Sequence, residues 1–116
     1  MSKLEKALAE HESAYMAERV ANGIALLDRE GPEGWRERID CDSLDLADGC
    51  NCVLGQVYGD FWPAIAAFAP TETRDAFSVA HAFAVSWEAN ASESLPDRYA
   101  PLTAAWRRAL DCDGAA

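Results

Sequence analysis

From Leu4 to Leu27 the chain runs without a proline and is rich in Ala, Leu, Glu and Lys, which sets a long helix as its first element. Ser2 stands where an N-cap is needed, with Glu5 three residues on as its capping-box partner. The apolar stripe of this helix changes face. Leu4, Leu8 and Tyr15, with His11 among them, line one side; Met16, Val20, Ile24 and Leu27 line a side more than about 90° away at the usual 100° per residue. The two halves must therefore pack against different things. Gly23 lies inside the second half, where Gly costs about 1 kcal/mol relative to Ala, so a close approach of another backbone is expected there. Gly31-Pro32-Glu33-Gly34 ends the helix.

The rest of the chain is punctuated more densely. Trp35 to Ile39 has room for one helical turn. A loop follows in which Asp40, Asp42, Asp45 and Asp48 are interleaved with Leu44 and Leu46, apolar pins that should keep it ordered. Asp48 or Asn51 can cap a short helix through Tyr58, with Gly59 as its C′ residue, and Asp60 can cap another from Phe61 to Phe68 that tolerates Pro63 in its first turn. Pro70 stops that helix. The next should run from Glu72 to about Ala82 and bury Ala76, Phe77, Ala80 and His81. Phe83 to Trp87 alternates apolar and small residues as an extended piece would, and Ala89 to Pro96 reads as a polar surface loop. In the last helix Tyr99, Leu102, Trp106 and Leu110 fall on one face, and Arg107 and Arg108 suit the negative end of its dipole. The expected architecture is mainly α: a compact single-domain bundle of about five helices with an ordered acidic loop. Its divisions are a helical extension over residues 1–15, one domain over 16–112 and a disordered tail over 113–116.

Charge narrows the range of partners. The chain carries a formal net charge of −10, and half of that excess falls between residues 31 and 60. A phosphate backbone is bound by clustered Lys and Arg, so direct nucleic-acid binding is not expected. The aspartate spacing is too irregular for a calcium loop of the EF-hand type, which also needs a Gly at its sixth position and a Glu at its twelfth. No apolar run approaches the roughly 20 residues of a membrane span, and the N-terminus turns polar at once, so a cytosolic protein is expected. Its four cysteines should then be reduced thiols. Cys50-x-Cys52 is a poor match both to paired zinc ligands and to C-x-x-C exchange motifs. Cys52 reads as a small buried side chain opening a helix, and Cys50 and Cys112 as incidental.

Catalytic candidates fail on the same grounds. Neither His11 nor His81 has a Ser or Cys at a spacing that would pair with it, and Gly55 and Gly59 lack the Lys of a phosphate loop. Gln56 reads as a buried amide bonded to backbone carbonyls, fixing the acidic loop. The four tryptophans fall in four elements, most simply as pillars of one core, and any one left at the surface would be a hot spot for a partner.

The order of these residues resembles a group of small proteins of actinobacteria and the phages that infect them. The likeness rests on Leu27-Asp28, Gly34-Trp35, Arg38-Ile39-Asp40, Leu44-Asp45-Leu46, the run Cys52 to Gly59, and Tyr99-x-x-Leu102-Thr103-x-x-Trp106, and it spans about Ala21 to Leu110. Members of that group often carry Gly where Ala82 stands. The resemblance implies a source and a compact fold and brings no reaction with it.

Taken with the absence of a catalytic constellation, cofactor motif or metal spacing, these features lead to a non-enzymatic protein-binding accessory factor, encoded by a phage or mobile element and acting on a host protein. Its contact residues are expected among Asp40, Asp42, Asp45, Asp48, Trp35 and Tyr58. The alternatives are an anti-defence inhibitor whose acidic surface imitates nucleic acid, and a thiol- or metal-dependent sensor. The stripe Leu4, Leu8, His11 and Tyr15 is too short for a core of its own and is expected to pair two copies of the chain into a homodimer.

Overall fold

The computed structural model describes residues 3–85 and 94–112, with the side chains of residues 4–14 and 95 outside that description. Among the described residues the chain is all helical: α1 Lys3–Glu30, α2 Val53–Tyr58, α3 Phe61–Phe68, α4 Arg74–Ala80 and α5 Leu95–Ala109, with 3₁₀ turns at Trp35–Arg38 and Thr71–Thr73. Ser2, the side chains of Leu4, Leu8 and His11, Trp87, residues 89–93 and the tail 113–116 lie outside the described residues.

One apolar core runs through all five helices. Val20, Leu26 and Leu27 of α1 meet Val53, Leu54 and Val57 of α2, Ala64 and Ile65 of α3, Phe83 beyond α4, and Leu102, Ala105 and Trp106 of α5. Leu44, Leu46 and Trp35 close it from the loop side. Of the α1 stripe, Met16 and Ile24 pack against this core, whereas Tyr15 is 54% exposed. Gly23 is the close contact. A Cβ there would lie 2.3 Å from the carbonyl oxygen of His81 and 2.9 Å from the Trp106 ring, so only Gly lets α1 lie flush on both.

Polar groups of neighbouring helices terminate α4. Its last carbonyls have no partner within the helix. Arg19 Nη1 donates to Val79 O at 3.1 Å, Asn22 Nδ2 to Ala80 O at 3.4 Å, and Trp106 Nε1 to Ala82 O at 2.7 Å. Phe83 N–H reaches back to Ser78 O and Ala82 N–H to Val79 O, the paired bonds of a Schellman ending. Its left-handed position, ordinarily Gly, is held by Ala82 at φ +60°. The end of α5 repeats the device with Asp111 at φ +59°: Cys112 N–H bonds Arg107 O and Asp111 N–H bonds Arg108 O.

Several expectations are corrected here. The fourth helix begins at Arg74, after a 3₁₀ turn, and ends at Ala80; Ala76 and Ala80 are exposed, and Ser78 is the buried residue. Alanine is too small to fix a face. The Ser78 hydroxyl donates to Arg74 O four residues back, which removes the penalty for burying it. Phe77 and His81 are half-buried, one turn apart in a stack of near-parallel rings that continues from Phe68 through both to Phe83 and Trp106. Phe83 and Ala84 belong to the turn that ends α4, not to an extended piece. Ser94 caps α5, so Pro96 lies in that helix's first turn and not in a surface loop.

Gly23→Ala should destabilise the protein by more than about 1 kcal/mol even though Ala is the better helix former, because the obstructing atom is backbone. Gly49→Ala, whose new Cβ would meet nothing nearer than 3.8 Å, should stay within about 0.5 kcal/mol of the parent. Urea midpoints of the two variants measure the contrast.

Candidate functional site

The acidic loop is ordered by its own aspartates. Asp40 Oδ1 accepts the N–H of Asp42, Asp45 Oδ1 that of Ala47, and Asp48 Oδ1 that of Cys50, three bonds two residues long. Asp and Asn favour turns because their side chains complete such rings. The backbone N–H of Cys50 and the side-chain amide of Asn51 hold the Asp48 carboxyl below the usual carboxylate range. A lowered pKa means that this bonding is fully present above the ordinary carboxylate pKa and is lost as pH falls through the lowered one. All four aspartates are exposed, but three of them serve the loop before they can serve a partner.

Gln56 clamps the loop to α2. Its Oε1 accepts the N–H of Asp40, and its Nε2 donates to Asp40 O at 3.2 Å and to Asn51 O at 3.0 Å. The amide thus joins both ends of the acidic segment, as its position in the sequence implies. Leu44 and Leu46 are buried, and Leu46 N–H donates to Thr103 Oγ1 of α5 at 3.0 Å. Arg38 Nη1 caps the end of α2 at Val57 O, 2.9 Å away.

The cysteines depart from expectation. Cys41 and Cys112, 71 residues apart, form a disulfide with their Cα atoms 5.7 Å apart, so Cys112 is not incidental and these two are not thiols. The Schellman turn at the end of α5 presents Cys112 to the loop, and Arg107 Nη1 donates to Cys41 O beside it. Cys52 is the buried residue opening α2 and is itself the N-cap, a role assigned above to Asp48 or Asn51. Its Sγ accepts the N–H of Gly55 at 3.3 Å, and its thiol lies 3.6 Å from Gly49 O. Burial pushes that thiol up from its ordinary pKa. Cys50 is exposed and free.

The aromatic candidates separate. Trp35 is 4% exposed, its Nε1 donating to Asp28 Oδ1 at 3.0 Å, and Arg36 lies over its ring while bridging to the same carboxylate. Trp35 is a core residue with no face to offer. Tyr58 is 40% exposed and meets Phe68 edge to face; partial burial raises its phenol pKa. Trp62 is 64% exposed, so it is not a pillar of the core. It lies against Phe61 edge to face, with ring centroids 5.1 Å apart.

Trp62 stands at the mouth of a cavity of about 400 Å³ between α3, α4, the start of α5 and the inner edge of the acidic loop. Leu46, Ala47 and Gly49 bring the loop to this wall, and Arg74, Asp75 and Arg98 bring charge to it. Neither the exposure of Trp62 nor the placing of either arginine at this wall follows from residue type or periodicity. One signal was there: Ala66, one turn on from Trp62, is a small residue that could not mark that face as buried. His81 donates from Nδ1 to Phe77 O at 2.9 Å between two aromatic rings. Among the described residues no group of three or more His, Cys, Asp or Glu is placed to hold a metal ion. No family model, curated protein or solved structure matches the chain, so any function must be argued from this geometry.

Two outcomes follow for the cysteines. A maleimide should label the native protein once, at Cys50, and reach Cys52 only after unfolding; equal labelling of both would contradict the burial of Cys52. Reducing the Cys41–Cys112 bond should lower the unfolding free energy by up to about 4 kcal/mol, the loop-closure value for a link of this span, as read from urea midpoints with and without dithiothreitol.

Proposed function

We propose that this chain is a non-enzymatic accessory factor that binds another protein, encoded by a phage or mobile element and acting on a host component. The observation that carries this reading is Trp62. A tryptophan left mostly in water gains little for the fold, whereas Trp is among the residues most enriched in interface hot spots. Phe61 fixes its ring from one side, so little side-chain entropy is lost on docking. The exposed aspartates of the loop favour approach of a basic patch, adding to rate and orientation more than to affinity.

Acidic mimicry of nucleic acid is the second reading, favoured by the concentration of charge between residues 31 and 60. It is the weaker one because Asp40, Asp45 and Asp48 spend carboxylate oxygens on their own backbone. Action in the host cytosol belongs to the proposal as well. Thiol pools there would work against the Cys41–Cys112 bond, leaving the Gln56 clamp to hold the loop.

Capture from an actinobacterial lysate by the parent and by Trp62→Ala, each at low and high salt, tests the reading. The variant should melt with the parent, since the ring is exposed, and should lose the partner that the parent retains at high salt. Identical capture by both proteins would overturn the Trp62 surface; capture lost only with salt would favour mimicry.

A further inference from the structure

The cavity beside Trp62 combines apolar walls with cationic side chains. Its walls are mostly apolar, from Leu46, Phe61, Phe83, Val85 and Tyr99, and its volume of about 400 Å³ lies within the range of small-molecule sites. Two arginines line it, against one carboxylate, Asp75, in a chain whose overall charge is −10. Arg74 is the informative one. No hydrogen bond or ion pair joins its guanidinium to another described residue, Asp75 included, and its Nε, like those of Arg19 and Arg98, is buried without an acceptor. A buried donor without an acceptor is destabilising. Arg98 already takes part in an interaction of its own, so the argument rests on Arg74.

We infer that this cavity is a binding site for a small organic oxyanion, a carboxylate or phosphate ester carried on a flat apolar body. The planar guanidinium of Arg74 matches either anion through paired N–H donors. An aromatic body would lie along the wall to which Phe61 and Trp62 contribute their rings. A neutral apolar molecule could fill the volume but would leave Arg74 without an acceptor. A cationic one would face two guanidinium groups.

Calorimetric titration of the full chain with 1-naphthyl phosphate, 1-naphthoate and 1-naphthol tests this independently of any protein partner. At least one of the two anions should bind saturably at one per chain and at least tenfold more tightly than naphthol; the tighter of the two assigns the phosphate or carboxylate class. Arg74→Gln should remove that tenfold advantage while leaving naphthol binding unchanged. Arg74→Lys should retain part of it, and keeps the test open if the Gln variant does not fold. Trp62→Ala should weaken anions and naphthol alike. Binding of naphthol as tight as that of both anions, no binding of either anion at millimolar concentration, or undiminished anion binding by a folded Arg74→Gln protein would each overturn the assignment.

Discussion

Trp106 is the point at which the three outer elements of the fold are fixed to one another. It is fully buried, its ring covers Gly23 of α1, its Nε1–H holds the carbonyl of Ala82 beyond α4, and its flat face continues the aromatic stack through Phe83. Each contact requires the others. The ring can reach Gly23 only because that position has no Cβ, and the Ala82 carbonyl points at the indole only because Ala82 adopts a left-handed conformation that costs about 1–2 kcal/mol for a residue with a Cβ. A strained turn persists where its surroundings over-determine it. Here they do so through the indole bond and through the two side chains of α1 that take the neighbouring carbonyls, Val79 and Ala80.

A second fixed point organises the loop. Cys52, Val53, Leu54, Gly55, Gln56 and Gly59 each meet a distinct demand: cap, core, core, close approach, clamp and left-handed exit. A Cβ on Gly55 would lie 2.3 Å from Gly49 O, so α2 is pressed against the loop it holds. The run Cys52 to Gly59 is thus mostly occupied by structural work, with Tyr58 left 40% exposed. Asp28 accepting from Trp35 and Thr103 accepting from Leu46 do the same kind of work outside that run.

This explains what could be read in advance. Gly23, Gln56, Leu44, Leu46, Leu102 and Trp106 were legible because each breaks or completes a local pattern: a Gly in a helix, an amide among core residues, an apolar pin among acids, a strict helical repeat. What escaped depends on contacts far along the chain. Cys41 and Cys112 meet only because α5 ends in a turn aimed at the loop, and spacing carries no trace of that. Ser78 is buried and Ala76 exposed because a hydroxyl can satisfy itself within its own helix, which hides its polarity from any hydropathy pattern. The alternation in Phe83 and Ala84 was read as strand although the chain there was closing a Schellman turn. Trp62 was assigned to the core on residue type alone, and Arg74 and Arg98 carry no periodic signal.

The proposed binding surface therefore lies largely outside the run Cys52 to Gly59, and its two groups of charges differ in range. The carboxylates of the loop are exposed, and their joint field is felt over about a Debye length, so salt weakens it strongly. The Arg74 guanidinium is recessed, and acts over hydrogen-bond distance in a less polar setting where screening is slight. A basic partner and a small anion can use the same corner of the molecule for opposite reasons, the first drawn by the outer field and the second held by the inner cation. Trp62 lines the cavity and is itself 64% exposed, so the proposed partner surface and the proposed anion site would share that one side chain.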